Sequence, residues 1–298
     1  MGGIRELRGR IKSVGNIRQI TRAMEMVAST KLRRFQDKAL SSRPYSDEIT
    51  ALVGHLAAVM GEGLEERPLF RAGAGQAIAV LLVSSDRGLC GAYNSNLFKV
   101  LEPWLRSLPP GSDVRFFVYG KKGYQYLNAR KRKVERLFVE PLLEQIDYRG
   151  AARTAKDLTA VFLSGQYREV RVLSTAFETM VRYVPRWIEL LPIQASALIG
   201  AAGEKGGAAK NVHGDVILEP DAPTIFERLV PRYLETRIYN ALIEAITSEY
   251  ASRRVSMKNA TDAAKDMQSA LKLVYNRKRQ ESITKELLDI IGGVEALR

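Results

Sequence analysis

The sequence predicts an α/β protein, in which a central domain with a mostly parallel sheet stands between two very long terminal helices. Residues 1–43 and 232–298 contain no proline, and no glycine occurs between Gly214 and Gly292, so each end can form one long helix. Between the ends, short apolar runs alternate with helix-like stretches. That alternation is typical of a parallel sheet covered by helices on both faces.

The N-terminal helix is predicted to extend to about residue 60, followed by a linker over residues 61–75. Its apolar residues step by three and four, and after a phase shift they repeat that step, which indicates a helical seam with a stammer. Pro44 either bends or interrupts this helix. The two sets are Ile4, Leu7, Ile11 and Val14, then Ile17, Ile20, Met24 and Val27.

The C-terminal helix carries two apolar stripes, and the second is rich in small residues that allow close helix packing. Pro231 either opens this helix at its first turn or kinks it. A helix of about 60 residues spans roughly 90 Å, more than twice the width of about 40 Å expected for the central domain. The stripes are Leu234, Ile238, Leu242 and Ile246, then Ala260, Ala263, Met267, Leu271 and Val274.

The central segment predicts a doubly wound, Rossmann-like domain. We expect strands at 77–83, 114–119, 134–139, 170–176 and 183–190, with helices at 94–106, 121–129 and 152–164. The glycine-rich stretch 201–210 predicts a surface loop.

Composition excludes several classes of function. The chain has 298 residues, 46% hydrophobic, and carries 46 Lys and Arg against 33 Asp and Glu, for a net charge of +13. This balance fits nucleic acid, an anionic membrane surface or an acidic protein partner. The single Cys90 and two histidines exclude an internal disulfide and a zinc site. The start lacks a signal peptide, so we expect a cytosol-like compartment.

The loop over residues 84–91 lies where doubly wound folds usually bind ligands. It lacks the pattern of a P-loop and of a dinucleotide fingerprint. We therefore favour a structural role, with Gly88 and Gly91 in a tight turn and with Asp86 and Arg87 pairing or capping the following helix. Cys90 is expected to be a small buried residue.

Other candidate sites have structural explanations that we favour. The backbone amides of residues 120–123 could hold an anion, but a glycine-flanked turn with solvated lysines is the preferred interpretation. The basic runs at 31–34, 130–133, 253–254 and 277–279 are interpreted as solvated helix faces, since no interleaved aromatics or DNA-binding motif accompany them. We predict no catalytic residue, no metal site and no cofactor.

Three blocks of the sequence resemble the gamma subunit of F-type ATP synthases, the central-stalk rotor. Residues 5–14 and 20–31 look like the opening helix of that family, and residues 85–91 resemble its central-domain signature: Asp86, Arg87, Gly88, Cys90 and Gly91. Residues 248–249, 254–263 and 273–287 are similar to its closing helix. The blocks follow the order of the family and cover both ends and the middle of the chain.

The resemblance implies an antiparallel coiled coil of the terminal helices, inserted into a ring of alpha and beta subunits. The expected segments are a helix at 1–60, the α/β domain at 75–212 and a helix at 223–298. Arg279 and Gln280 match family positions that hydrogen-bond a catalytic subunit. Four residues would form an apolar tip inside an apolar sleeve: Leu287, Leu288, Ile291 and Val294.

The implied function is that of a non-catalytic rotor shaft, which couples proton-driven rotation of the membrane c ring to conformational cycling of the beta subunits. The implied partners are the alpha, beta and epsilon subunits and the c ring. The implied location is peripheral, on the cytoplasmic face of a bacterial inner membrane, with membrane contact only through the c ring and no nucleic-acid partner. Two alternatives stay open: a basic coiled-coil nucleic-acid-binding protein, and a nucleotide-using α/β enzyme with helical arms.

Overall fold

The computed structural model describes residues 3–64, 66–196, 198 and 221–295, apart from the side chains at positions 62, 292, 294 and 295. Its long helices are α1 (Ile4–Met60), α2 (Tyr93–Ser107), α3 (Lys121–Ala129), α4 (Tyr148–Leu163) and α5 (Ala222–Glu295). Its strands are β1 (Ala77–Val83), β2 (Val114–Tyr119), β3 (Val134–Phe138), β4 (Tyr167–Phe177) and β5 (Tyr183–Leu191). The glycine-rich stretch 201–210 lies outside the described residues.

The strands form one sheet in the order β3-β2-β1-β4-β5. β1 pairs in parallel with β2 and β4, and β2 pairs in parallel with β3, whereas β5 is antiparallel to β4. Every residue of the central strand β1 is buried. A strand covered on both faces needs such a continuous apolar run, and the predicted α/β class with a mostly parallel sheet is confirmed.

Helices cover both faces of this sheet, as the doubly wound prediction requires. On one face, Leu82 packs with Leu97 of α2 and Leu127 of α3 in a buried apolar cluster. On the other face, the hydroxyl of Tyr119 lies 2.7 Å from Thr154 Oγ1 of α4, in a hydrogen bond. The hydrogen bond satisfies two buried polar groups that would otherwise destabilise this interface.

The described chain divides into two compact units. The terminal unit combines the residues up to Thr30 with those from Arg253 onward, and the central unit comprises Lys31–Ser252. Both α1 and α5 therefore contribute residues to both units. The three-segment division at 1–60, 75–212 and 223–298 stays a prediction.

Within the terminal unit, α1 and α5 pair in antiparallel orientation. Arg8 Nη2 donates a hydrogen bond of 2.9 Å to Tyr275 OH, and Thr21 Oγ1 lies 2.8 Å from Thr261 Oγ1. The partner on α5 falls from 275 to 261 as the position on α1 rises from 8 to 21, so the two helices run in opposite directions. Between these pairs Gly15 lies against the Gln268 side chain, since a Cβ added at position 15 would stand 2.8 Å from the Gln268 amide nitrogen.

Only part of the predicted apolar stripes is shielded: the first set on α1 is half-buried, as are Met24 and Leu271, whereas other members are exposed. Ile17, Ile20, Val27, Met267 and Val274 are between 47% and 60% exposed. The less exposed positions of α1 continue from 11 and 14 through 18, 21, 25 and 28 without a phase shift. A regular helix keeps one face toward its partner, so the predicted stammer is wrong and polar or small residues occupy much of the seam.

The earlier stripe of α5 is buried as predicted, within the central unit: Leu234, Ile238, Leu242 and Ile246 are each at most 2% exposed. In the later part of the helix the stripe is displaced, since Met257 and Ala264 are buried whereas Ala263 is exposed.

Neither proline ends its helix. Pro44 lies inside α1, which continues to Met60, so the interrupted alternative is wrong. Pro231 lies within α5, which begins at Ala222, so the proline does not open the helix. The helix begins earlier because Asp221 caps it, with its carboxylate accepting a 2.8 Å hydrogen bond from the Thr224 amide.

Candidate functional site

The loop after β1 is held at the carboxyl edge of the sheet by the start of α3. Ser84 Oγ donates to the Tyr119 carbonyl at 3.0 Å and accepts a 2.8 Å hydrogen bond from the Gly123 amide. Gly120 has a φ of +93°, and an added Cβ there would collide with the Ser84 backbone. Only glycine fits this close crossing of two chain segments.

The first amides of α3 are already occupied by this loop. The Lys121 amide donates to Asp86 Oδ1 at 3.1 Å, and the Lys122 amide donates to the Ser85 carbonyl at 3.0 Å. With the Gly123 amide also bonded, the protein's own carboxylate stands where an external anion would bind. Asp86 thus caps α3 and not the following helix α2, which corrects the expected partner of its carboxylate.

The signature loop is a packed structural turn. Cys90 is buried, and its Sγ lies 3.4 Å from Asn94 Nδ2, in agreement with the expected small buried residue. The left-handed positions of the turn are Leu89, with φ of 62°, and Gly91, with φ of 55°. Gly88 has open space around it and adopts no left-handed backbone, so the turn does not depend on glycine at this position.

Helix α5 occupies the crevice where a doubly wound fold would bind a ligand, between the carboxyl ends of β1 and β4. Ser252 Oγ donates a 2.6 Å hydrogen bond to the Cys90 carbonyl, and Ser248 Oγ donates at 3.3 Å to the Thr175 carbonyl at the end of β4. Tyr183 OH in turn donates to Ser252 Oγ at 3.0 Å. The nucleotide-enzyme alternative therefore gains no support from the geometry of this loop.

A second polar cluster, which sequence reasoning missed, joins three elements of the central unit. Lys31 of α1 pairs with Glu144, which lies in a 3₁₀ turn, and Tyr250 OH of α5 donates to Glu144 Oε2 at 2.8 Å. Burial alone would raise the pKa of Glu144, but the hydrogen bonds from Lys31 and Tyr250 hold that pKa below its ordinary value. The basic run at 31–34 signalled Lys31 but gave no sign of its acidic partner.

Glu244 precedes Tyr250 on α5, and its surroundings shift its pKa in the opposite direction. Burial raises the pKa of its carboxyl group, and the positive charges of Arg43 and Arg186 only partly oppose that effect. In the central unit, the direction in which the pKa of these two carboxyl groups shifts depends on whether a cation donates a hydrogen bond to the group.

The residues predicted to contact partner subunits lie on the exposed end of α5. Arg279 and Gln280 are exposed, and the same holds for Leu287, Leu288 and Ile291. The side chain of Val294 lies outside the described residues. Their roles stay predictions.

The basic run at 130–133 is partly paired on the surface of the central unit. Arg130 Nε lies 3.3 Å from Glu102 and its guanidinium stacks 3.7 Å from the Tyr126 ring centroid. Lys133 lies 3.7 Å from Glu135. Ion pairs within the protein neutralise much of this run, which weakens it as a phosphate-binding patch.

Across the described ranges, no helix is long and apolar enough to cross a membrane. A search of the same residues for three or more His, Cys, Asp or Glu side chains able to hold a metal ion found none.

Comparison with known proteins identifies relatives over the whole chain. A family model described as ATP synthase matches residues 3–297. The chain is 36% identical over 306 residues to the ATP synthase gamma chain of Cytophaga hutchinsonii, covering 100% of this chain and 99% of the relative. It is 38% identical over 302 residues to the ATP synthase gamma chain of Mycobacterium leprae, covering 99% and 97%.

The fold also matches a solved structure. A chain of the Euglena gracilis mitochondrial ATP synthase aligns with a TM-score of 0.66 at 20% identity, covering 99% of this chain and 94% of that one. These relatives agree with the resemblance of the three sequence blocks, and the nucleic-acid alternative gains no support from them. With sequence relatives above 30% identity along its full length, the chain belongs to the ATP synthase gamma chain family.

Proposed function

We propose that this chain is the central rotor shaft of an F-type ATP synthase. It couples proton-driven rotation of the c ring to conformational cycling of catalytic beta subunits and carries no catalytic residue itself. Its partners are the alpha and beta subunits around the terminal unit, and the epsilon subunit and c ring at the central unit. The protein is peripheral, on the cytoplasmic face of a bacterial inner membrane, and meets the membrane only through the c ring.

One observation carries this proposal: the terminal unit leaves large apolar side chains exposed on both of its helices. Ile17, Ile20 and Val27 face outward, whereas Thr21 meets Thr261 inside the seam. Exposed apolar side chains of this kind are expected where another protein covers the surface. A shaft inside a ring of subunits would present such side chains to the surrounding walls.

The exposed end of α5 would present both kinds of contact that a rotor needs. Arg279 and Gln280 would hydrogen-bond acidic or polar loops of a catalytic subunit, for which the arginine fork is suited. Leu287, Leu288, Ile291 and Val294 would form the apolar tip in its sleeve. Because different faces of the shaft would contact each catalytic subunit in turn, the binding free energy of each site would change during rotation.

The loop with Asp86, Arg87, Gly88, Cys90 and Gly91 would serve this function structurally. It joins the carboxyl edge of the sheet to α5 through the Cys90 carbonyl. In the central unit it would transmit force and bind no nucleotide.

The test replaces Arg279 and Gln280 by alanine in the assembled enzyme. Basal ATP hydrolysis should persist, whereas ATP-driven proton pumping and ATP synthesis should be lost, because the shaft no longer engages the catalytic subunit. Inverted membrane vesicles allow all three rates to be measured on one preparation. Normal pumping and synthesis in this variant would contradict the assignment of these residues.

The matched control replaces Ser269 and Lys272, another exposed polar and basic pair on α5, by alanine. It should retain coupled pumping. If the unaltered chain itself fails to assemble with alpha and beta subunits, and instead binds DNA with a steep dependence on salt, the rotor proposal is wrong and the nucleic-acid alternative returns.

A further inference from the structure

A set of directional polar contacts surrounds α5 at one level of the central unit, and we name it the collar. The collar consists of Lys31, Glu144, Tyr250, Ser252 and the carbonyl of Cys90. Glu144 accepts hydrogen bonds from Lys31 on α1 and from Tyr250 on α5, and Ser252 donates to Cys90. Both long helices are thereby attached to the globular part of the unit.

The collar holds α5 from two sides. Tyr250 and Ser252 are two residues apart, so their side chains leave the helix about 200° apart around its axis. Tyr250 reaches the 3₁₀ turn, whereas Ser252 reaches the loop after β1 and receives a hydrogen bond from Tyr183. Contacts on opposite sides resist rotation of the helix in either sense.

The collar also joins α1 and α5 to each other. The rings of Phe35 and Tyr250 stack with centroids 5.5 Å apart. The Lys31 ammonium lies 5.5 Å from the Tyr250 ring centroid. The two helices therefore meet Glu144 as one packed pair and not as separate rods.

The collar lies at the limit of the central unit along the chain. Lys31 is the first residue of that unit on α1, and Ser252 is its last residue on α5. Within the central unit, contacts that carry torque into the two helices lie at or after Lys31 on α1 and at or before Ser252 on α5.

Directional contacts are suited to carrying such a torque. Apolar burial is non-directional and roughly proportional to the area removed from water. Hydrogen bonds lose strength steeply when donor and acceptor move out of line, and charge-assisted ones are the strongest. We infer that the collar is the torque-bearing joint between the globular domain and the helix pair, an inference that rests on the proposed rotor function.

The test compares coupling under load in assembled enzyme reconstituted into sealed vesicles. One variant combines Lys31→Met with Glu144→Met, which removes both charges of the Lys31–Glu144 ion pair. A second variant is Ser252→Ala, which removes the link to the loop. The control is Arg136→Met, which breaks a 2.8 Å ion pair with Asp157 between β3 and α4 without involving α1 or α5.

The measurements are ATP hydrolysis, the initial protons pumped per ATP, and the steady proton gradient reached. The collar variants should hydrolyse ATP and start pumping as the unaltered enzyme does, but they should reach a lower steady gradient because the joint slips as the opposing force grows. The Arg136 control should reach the full gradient. A merely structural role would lower hydrolysis and pumping in proportion and would not create this dependence on load.

Two outcomes distinguish a failure of the collar inference from a failure of the rotor proposal. If the unaltered chain supports pumping and both collar variants also reach the full gradient, the collar inference is wrong and the rotor proposal stands. If the unaltered chain supports no pumping, the rotor proposal itself fails. Thermal unfolding of each purified chain tests whether the variants fold. If the double variant does not assemble, the result for Ser252→Ala, which only removes a hydroxyl, decides whether the collar inference holds.

Discussion

Two stretches of the same helix, α5, have opposite surroundings. In the stretch within the central unit, Leu242 is fully buried, and even the hydroxyl residues Thr247 and Ser248 have no exposure to solvent. Toward the other end, Leu273 is 72% exposed and Leu288 is 62% exposed. Apolar residues recur in both stretches, yet among the described residues only the first stretch is covered. Periodicity thus indicates that a helix face will be covered, but it does not indicate which chain covers it.

The two tryptophans of the chain allow the stability of the central unit, which contains the buried stretch of α5, to be measured. Trp104 and Trp187 both belong to the central unit, with ring centroids 4.4 Å apart. Their fluorescence during urea unfolding therefore reports the stability of the central unit alone, which matters because a chain with two units need not unfold in one step.

The largest expected effect concerns the crossing at Gly120. Gly120→Ala should destabilise the central unit by about 4 kcal/mol, since the new Cβ meets the Ser84 backbone and the residue needs a positive φ. Urea unfolding followed by tryptophan fluorescence measures the loss. Gly88→Ala is the control and should change stability by less than about 0.5 kcal/mol, because nothing stands within contact of its Cβ. Equal effects of the two changes would show that the loop is not packed as described.

The second prediction compares the two stretches of α5 directly. Leu242→Ala should cost the central unit about 3 kcal/mol through lost burial and a residual cavity. Leu288→Ala in the isolated chain should leave the same unfolding curve unchanged, because that side chain is mostly exposed. A large loss for Leu288→Ala would mean that the chain itself covers this stretch.

The third prediction concerns the pH dependence of the collar. The folded chain holds the pKa of Glu144 below its ordinary value of 4.5, so the stabilisation is fully present above that value and is lost as pH falls through the lowered pKa. Glu144→Gln should cost about 1 kcal/mol at neutral pH, as expected for a partly exposed ion pair. The difference in unfolding free energy between Glu144→Gln and the unaltered chain should vanish in acid. A difference independent of pH would exclude ionisation of Glu144 as its source.

The smallest expected effect has the opposite sign. Because burial raises the pKa of Glu244 above its ordinary value, the folded state binds this proton more tightly than the unfolded state does. The contribution of this group should make the central unit more stable as pH falls from above the raised pKa toward 4.5. Glu244→Gln should remove that gain, and comparison with Glu144→Gln over the same pH series separates the two acids. If the unfolding free energies of the two variants changed with pH in the same way, the opposite pKa shifts of Glu144 and Glu244 would be contradicted.

Several elements of the fold follow from local sequence, because their signals need no distant partner. Strand β1 has the predicted limits, since a continuous apolar run bounded by polar residues can only be a buried strand at this length. Helix α4 begins at Tyr148, four residues before its predicted start at 152. The early start follows from Asp147, whose side chain accepts a 2.7 Å hydrogen bond from the Gly150 amide.

Other features depend on contacts that local sequence does not reveal. Glu144 meets Lys31 across 113 positions of the chain and Tyr250 across 106. The seam of the terminal unit was misassigned because apolar residues such as Ile17 were expected to face the partner helix. In this unit the half-buried positions of α1 include apolar residues such as Ile11 and polar ones such as Thr21, whereas Ile17 is exposed.

The same limit applies to the candidate site. The loop from Asp86 to Gly91 was expected to be structural, and the geometry agrees, but its hydrogen-bonded partner at the start of α3 is set by the order of strands in the sheet. No local pattern indicates that Ser252 closes the crevice beside it.

The most direct test of the account is the accessibility of the exposed stretch of α5 before and after assembly. A Leu288→Cys variant can be labelled with a maleimide in the isolated chain and in the assembled ATP synthase, with the buried Cys90 as an internal reference. We expect rapid labelling at position 288 in the isolated chain, strong protection in the assembled enzyme, and slow labelling of Cys90 in both. Equal labelling of position 288 in the two states would contradict the claim that partner subunits cover what this chain leaves exposed.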